Sequence, residues 1–227
     1  MASQNQQQQD ETAIDKMNSQ LTAAGDKIAN NKKIIFWGVG VIAVVAVFVL
    51  SYLFIYRNPH LQGAYEAYNK VETEVMGNDS LAAVKYMEVA NQYKHDKAGK
   101  LAALSAGQAL YNEGKYAEAA DYLKRFSSDD DVLEANTLVL VGDCYVNLKK
   151  YDEALDYFQK AVRKANSNPQ IVPRVLLKEA NVYDEQKKYD KALECYTQIK
   201  DGYPDFKFGN GLSIDAYIAR ENARLAK

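Results

Sequence analysis

Residues 149–158 read KKYDEALDYF, and residues 187–196 read KKYDKALECY. A looser version, GKYAEAADYL, occupies 114–123. Aligned on Tyr116, Tyr151 and Tyr189, the three copies place an alanine three residues later each time, at Ala119, Ala154 and Ala192. The residue nine before each tyrosine is small: Gly107, Gly142 and Ala180. Successive tyrosines are 35 and 38 residues apart (151 − 116 and 189 − 151), room for two helices and a turn. Helix axes reach the short end of their roughly 8–10 Å range only where nothing large stands at the crossing point, and a glycine facing an alanine meets that need. One helix pair cannot cover its own apolar face, so the copies must stack, and a small rotation per copy gives a solenoid with a concave side. The expected class is all-α.

This period, with a small residue in the first helix and an alanine in the second, resembles the tetratricopeptide repeat, whose unit is about 34 residues. Leu138, Tyr145, Phe158 and Ala161 agree with it in the middle copy, and Tyr183 and Pro204 in the third; Ala103 stands where the first copy would carry a bulky residue. The resemblance implies three repeats over 97–204, a degenerate helix pair over 57–96 before them, and a capping helix over 205–227 whose polar outside is Asp215, Arg220, Glu221, Asn222 and Arg224. In proteins built from this repeat the groove is lined by the second, fifth, ninth, twelfth and thirteenth positions of each first helix. On this chain those are Leu101, Leu104, Gln108, Tyr111 and Asn112; Asn136, Val139, Asp143, Val146 and Asn147; and Arg174, Leu177, Asn181, Asp184 and Glu185. The mixture suits a peptide or a partner helix. Leu104, Val139 and Leu177 at the fifth position leave no lysine there to grip a C-terminal carboxylate.

Ahead of the repeats, residues 34–56, IIFWGVGVIAVVAVFVLSYLFIY, contain no charged side chain. As a helix they would reach roughly 34 Å, enough to cross a hydrocarbon core of about 30 Å. A cleavable signal peptide has a shorter apolar stretch and a short leader, whereas here residues 1–33 come first, so an uncleaved anchor is expected. Lys16, Lys27, Lys32 and Lys33 precede the span, against Arg57 and Lys70 after it, which places the N-terminus in the cytoplasm and the repeats across the membrane. Trp37 near one end, with Tyr52 and Tyr56 near the other, fits the aromatic belts of bilayer interfaces.

Residues 2–9, ASQNQQQQ, cannot bury apolar surface and are expected to be disordered. Ile14, Met17, Leu21, Ala24 and Ile28 then form a short coiled-coil-like stripe, a helix leading into the span or a self-association surface. Beyond Arg57, Pro59 and the glycines at 77, 114 and 202 read as punctuation between helices, and Asn78, Asp79 and Ser80 as a capping run.

The balance of 28 basic and 30 acidic residues, net charge −2, supplies no broad field for nucleic acid. No phosphate-cradling glycine loop, nucleophile elbow, zinc-binding HExxH or dinucleotide fingerprint occurs, so neither catalysis nor a small-molecule substrate or cofactor is expected. Ser127-Ser128-Asp129-Asp130-Asp131 lacks calcium-loop spacing and sits where a helix N-cap belongs. Cys144 and Cys195 fall in elements that a solenoid keeps apart and read as small buried hydrophobes.

The stretches YNEGKYAEAADYLKRFSSDD, VGDCYVNLKKYDEALDYFQKA and SIDAYIARENARLAK, with the short leader and single span, resemble bacterial inner-membrane tetratricopeptide proteins of the YfgM-like, Bacteroidota-type kind, an ancillary subunit family of the Sec translocon. The resemblance covers about residues 10–227. It implies a single-pass inner-membrane protein with a periplasmic repeat domain and protein partners: the translocon, exported chains or periplasmic chaperones. A cell-envelope assembly or secretion-machine scaffold, and a cytosol-facing import-receptor-like adaptor, are the competing readings.

Overall fold

A computed structural model of the chain describes residues 16–18, 20–22, 32–75, 78–207 and 213–226. It divides into two compact units, Met1–His60 and Leu61–Lys227. Of the leader stripe, Ile14, Ala24 and Ile28 lie outside the described residues, and Met17 and Leu21 are exposed.

In the first unit, α1 (Lys32–Ser51) is followed by a six-residue π-helical segment, Tyr52–Arg57. A helical stretch beginning at Phe36 is long and apolar enough to cross a membrane, with none of its most apolar window buried. Pro59 does not end the helix as its chemistry suggests; it stands second in α2 (Asn58–Glu74). Proline has no N–H to give to a carbonyl four residues back. The chain meets it by widening: over Tyr52–Arg57 the pattern shifts to five-residue bonds, and the Asn58 N–H donates to the Leu53 carbonyl.

The second unit continues through α3 (Asp79–Gln92), α4 (Lys97–Asn112), α5 (Tyr116–Leu123), α6 (Asp131–Asn147), α7 (Tyr151–Lys164), α8 (Val172–Glu185), α9 (Tyr189–Gly202) and α10 (Ile214–Leu225). From α3 onward each helix packs on the next, and no strand occurs among the described residues. The helices start where caps allow. The Asn78 side chain accepts from the Leu81 N–H, Asp130 from those of Val132 and Leu133, and Ser213 from that of Ala216. The core forms two clusters, one from α2 to α6 and one from α6 to α10, and Tyr145 touches both.

The three copies also end their first helices identically. Lys115, Lys150 and Lys188 donate their N–H to the carbonyls of Leu110, Tyr145 and Tyr183, five residues back, while Gly114, Lys149 and Lys187 donate three back. This double bond pattern requires left-handed backbone at the residue in between, and Gly114, Lys149 and Lys187 sit at φ 77°, 58° and 57°. Glycine takes that conformation freely; lysine does not. Gly77 lies outside the described residues, and Gly202 is the last residue of α9.

The glycines face more than the alanine expected opposite them: Gly107 meets the Ala119 carbonyl, but the tightest approach is by a larger side chain. A Cβ on Gly107 would lie 2.5 Å from Leu123 Cγ, and one on Gly142 2.6 Å from Phe158 Cδ1. Leu123, Phe158 and Tyr196 occupy one repeat position, seven after the tyrosine, and all three are buried. The glycines therefore make room for the bulky side chain of the second helix, while Ala119, Ala154 and Ala192 are fully buried beside it. On the capping helix α10, Asp215, Arg220 and Asn222 are exposed and Arg224 is partly so, but Glu221, expected on the polar outside, is fully buried.

Candidate functional site

The groove residues divide by burial. Leu104 belongs to the core, Gln108, Asn112, Asn136, Asn147, Arg174 and Asn181 are exposed, and Tyr111, Val139, Asp143, Leu177 and Asp184 are half-buried. Between α6 and α8 the structure brings Asp143, Val146, Asn181, Asp184 and Glu185 round a hollow of about 370 Å³ that Phe158, Lys178 and Val182 also line. A smaller hollow of about 90 Å³ gathers Asn136, Val139 and Arg174 with Ile171 and Val175, and Lys178 lines both. Leu104, Gln108, Tyr111 and Asn112 line neither. The larger hollow has an apolar floor, Val146, Phe158 and Val182, and a polar rim, so it can take an apolar side chain while meeting a backbone with hydrogen bonds.

Polar bonds stitch this face from copy to copy. Asn147 donates to the Tyr111 hydroxyl at 3.4 Å, Lys178 to both Asp143 oxygens at 2.8 and 3.0 Å, and Arg220 to Asp184 at 2.6 Å. The partners are 36, 35 and 36 residues apart, one repeat length. Lys178 and Arg220 were not among the residues the repeat register nominates. The signal that could have found them is opposite charge one repeat apart.

Burial sets the electrostatics. It lifts the Asp143 carboxyl above its ordinary range despite the Lys178 bond. Asp184 is raised by burial and by the neighbouring Glu221, against the pull of Arg220 and Arg224. Burial would raise Glu221 too, but the bonds from Arg220 and Arg224 outweigh it and hold it low. Glu179, one residue before Ala180, is buried with no partner for its Oε1 among the described residues, and desolvation pushes it up to about 7 against the pull of Arg163. Cys144 and Cys195 are free, buried thiols, each pushed up to about 12 by burial, which leaves them unreactive.

Residues 133–205 match the tetratricopeptide repeat model, and residues 82–161 match a model described as anaphase-promoting complex, cyclosome, subunit 3. The repeats are tetratricopeptide-like. Two crystal structures of MamA superpose with a TM-score of 0.51: one is 19% identical and covers 73% of this chain and 88% of that one, the other is 20% identical and covers 68% and 93%. The crystal structure of BtubC from P. vanneervenii, 10% identical, also has a TM-score of 0.51 over 73% of this chain and 83% of its own. An uncharacterized protein of Aquifex aeolicus (strain VF5) is 34% identical over 85 residues, which is 37% of this chain. The match spans 47% of that relative, about half its length. A tetratricopeptide-repeat match over residues 133–205 indicates a protein-interaction scaffold.

Proposed function

We propose that this chain is a membrane-anchored scaffold whose tetratricopeptide groove, centred on the α6–α8 hollow, holds an extended segment or helix of a protein partner on the exported side of a bacterial inner membrane. The observation that carries this is the hollow itself: an apolar floor of Val146, Phe158 and Val182 ringed by Asp143, Asn181, Asp184 and Glu185. The apolar stretch starting at Phe36 supplies the anchor, and the lysine excess before it supplies the orientation. The resemblance to YfgM-like proteins makes the Sec translocon and the chains emerging from it the first partners to test.

A photo-crosslinking side chain at Asn181, compared with one at exposed Gln159 on α7, tests the reading in native membranes. Crosslinks from position 181 to the translocon channel and to nascent exported chains are expected, with none from 159. Capture from 181 of envelope-assembly proteins alone would replace the translocon reading by an assembly scaffold. Cleavage of the repeats by protease added to spheroplasts is expected as well, and protection there would overturn the exported placement.

A further inference from the structure

The far side of the third copy is built differently from the same side of the first two. The residue four after the repeat tyrosine is Ala120 in α5, Leu155 in α7 and Leu193 in α9. The first two are buried, at 2% and 7% exposure, whereas Leu193 is only half-buried. In the first two copies a complete helix pair follows. After α9, α10 takes the place of a first helix: Arg220 reaches Asp184 one repeat back, as Asn147 reaches Tyr111, and the Tyr217 ring lies 5.1 Å from Tyr196. Among the described residues no second helix covers the α9–α10 seam.

That seam is a hollow of about 550 Å³. Leu193 and Leu225 give it an apolar strip, and Leu225 is 48% exposed. Asp190, Glu194 and Asp201 give it three carboxylates, no lysine or arginine lines it, and none of the three acids has an ion pair among the described residues. Asp201 also lies in the last turn of α9, where the helix dipole disfavours an anion and favours a cation.

We propose that the α9–α10 hollow is a docking site, separate from the groove, for an amphipathic helix of a partner protein that carries lysine or arginine beside an apolar stripe. The helix would lie along the exposed face of α9, against the end of α10. Its apolar residues cover Leu193 and Leu225, and its cations pair with Asp190, Glu194 and Asp201.

The test uses the full chain in neutral detergent and a labelled synthetic peptide of the length of α7, with leucines at helical spacing flanked by lysines. A matched peptide with glutamates in place of the lysines is the control, binding is read by fluorescence anisotropy, and protein-free micelles are the blank. The lysine peptide is expected to bind at least about tenfold more tightly than the glutamate peptide. Glu194→Lys with Asp201→Lys, both exposed positions, should invert that preference, and Leu193→Asn should weaken binding of the lysine peptide by about tenfold. Asn181→Ala in the groove should change nothing. Equal binding of both peptides, no binding of either, persistence of the preference in the double lysine variant, or loss of binding with Asn181→Ala would overturn the proposal. So would self-association of the chain that Leu193→Asn abolishes, since the hollow would then belong to a second copy.

Discussion

Gly142→Ala is the most searching test of how the repeats pack. Alanine is the better helix former by up to about 1 kcal/mol, so on propensity the change should stabilise α6. The structure reverses the sign. The new Cβ would stand 2.6 Å from Phe158 Cδ1, about 1 Å inside the contact distance of two carbons. Phe158 is fully buried, so it can yield only toward the α6–α8 hollow whose floor it forms. Overpacking of this kind costs about 1–3 kcal/mol, leaving a net loss of up to about 2 kcal/mol once the full propensity gain is taken off, or up to roughly 8 °C in Tm. Adding Phe158→Leu should recover part of the loss, a non-additivity that two independent substitutions would not show. Gly63→Ala is the control. Its Cβ would meet nothing closer than the Tyr93 hydroxyl at 3.7 Å, so it should gain about 0.5–1 kcal/mol. Urea unfolding followed by far-ultraviolet circular dichroism on the full chain in detergent gives all four numbers. A Gly142→Ala variant as stable as the parent, with Gly63→Ala no better, would refute the packing account.

Glu179 binds more protons folded than unfolded, because its folded value of about 7 exceeds its ordinary one. Its contribution to stability is complete below the ordinary carboxylate range and is lost as pH rises through about 7, so Glu179→Gln should be the more stable form at pH 8 by about 1–3 kcal/mol and nearly equal to the parent at pH 5; parallel melts at the two pH values decide it. Lys149→Gly and Lys187→Gly should each raise stability by about 0.5–1 kcal/mol in denaturant titrations, because glycine relieves the left-handed backbone at φ 58° and 57°. Ala154→Leu inserts bulk at a fully buried crossing and should cost about 1–3 kcal/mol, whereas Asn147→Leu on the exposed groove face should stay within about 0.5 kcal/mol; the reverse order on thermal unfolding would break the repeat register. Arg224→Leu removes one of the two cations on buried Glu221 and should lower the melting temperature by several degrees, corresponding to about 1–2 kcal/mol.

Much of this architecture is legible along the chain because the rules that write it are local. Helical periodicity, a capping residue such as Asp130, an uncharged run from Ile34 to Tyr56 and a return of Tyr-x-x-Ala every 35 or 38 residues need no knowledge of what lies across the molecule. The contacts between copies obey a different rule, since they depend on how far each helix pair rotates on the one before. That rotation is set by side chains meeting in space. It sets the Phe158 ring against Gly142, and it buries Glu221 of a helix whose sequence reads as polar surface. It brings Lys178 to Asp143 and Arg220 to Asp184, and it leaves Leu193 half-covered while Leu155, its counterpart one copy earlier, is buried. Two lysines at left-handed backbone belong with these, for nothing in their chemistry announces φ near 58° until the bonds of the closing turn demand it. The identity of each element follows from near neighbours in the sequence; which faces it hides, and which it leaves open to a partner, follows from packing across one repeat, where hydrophobic burial and steric fit are resolved together.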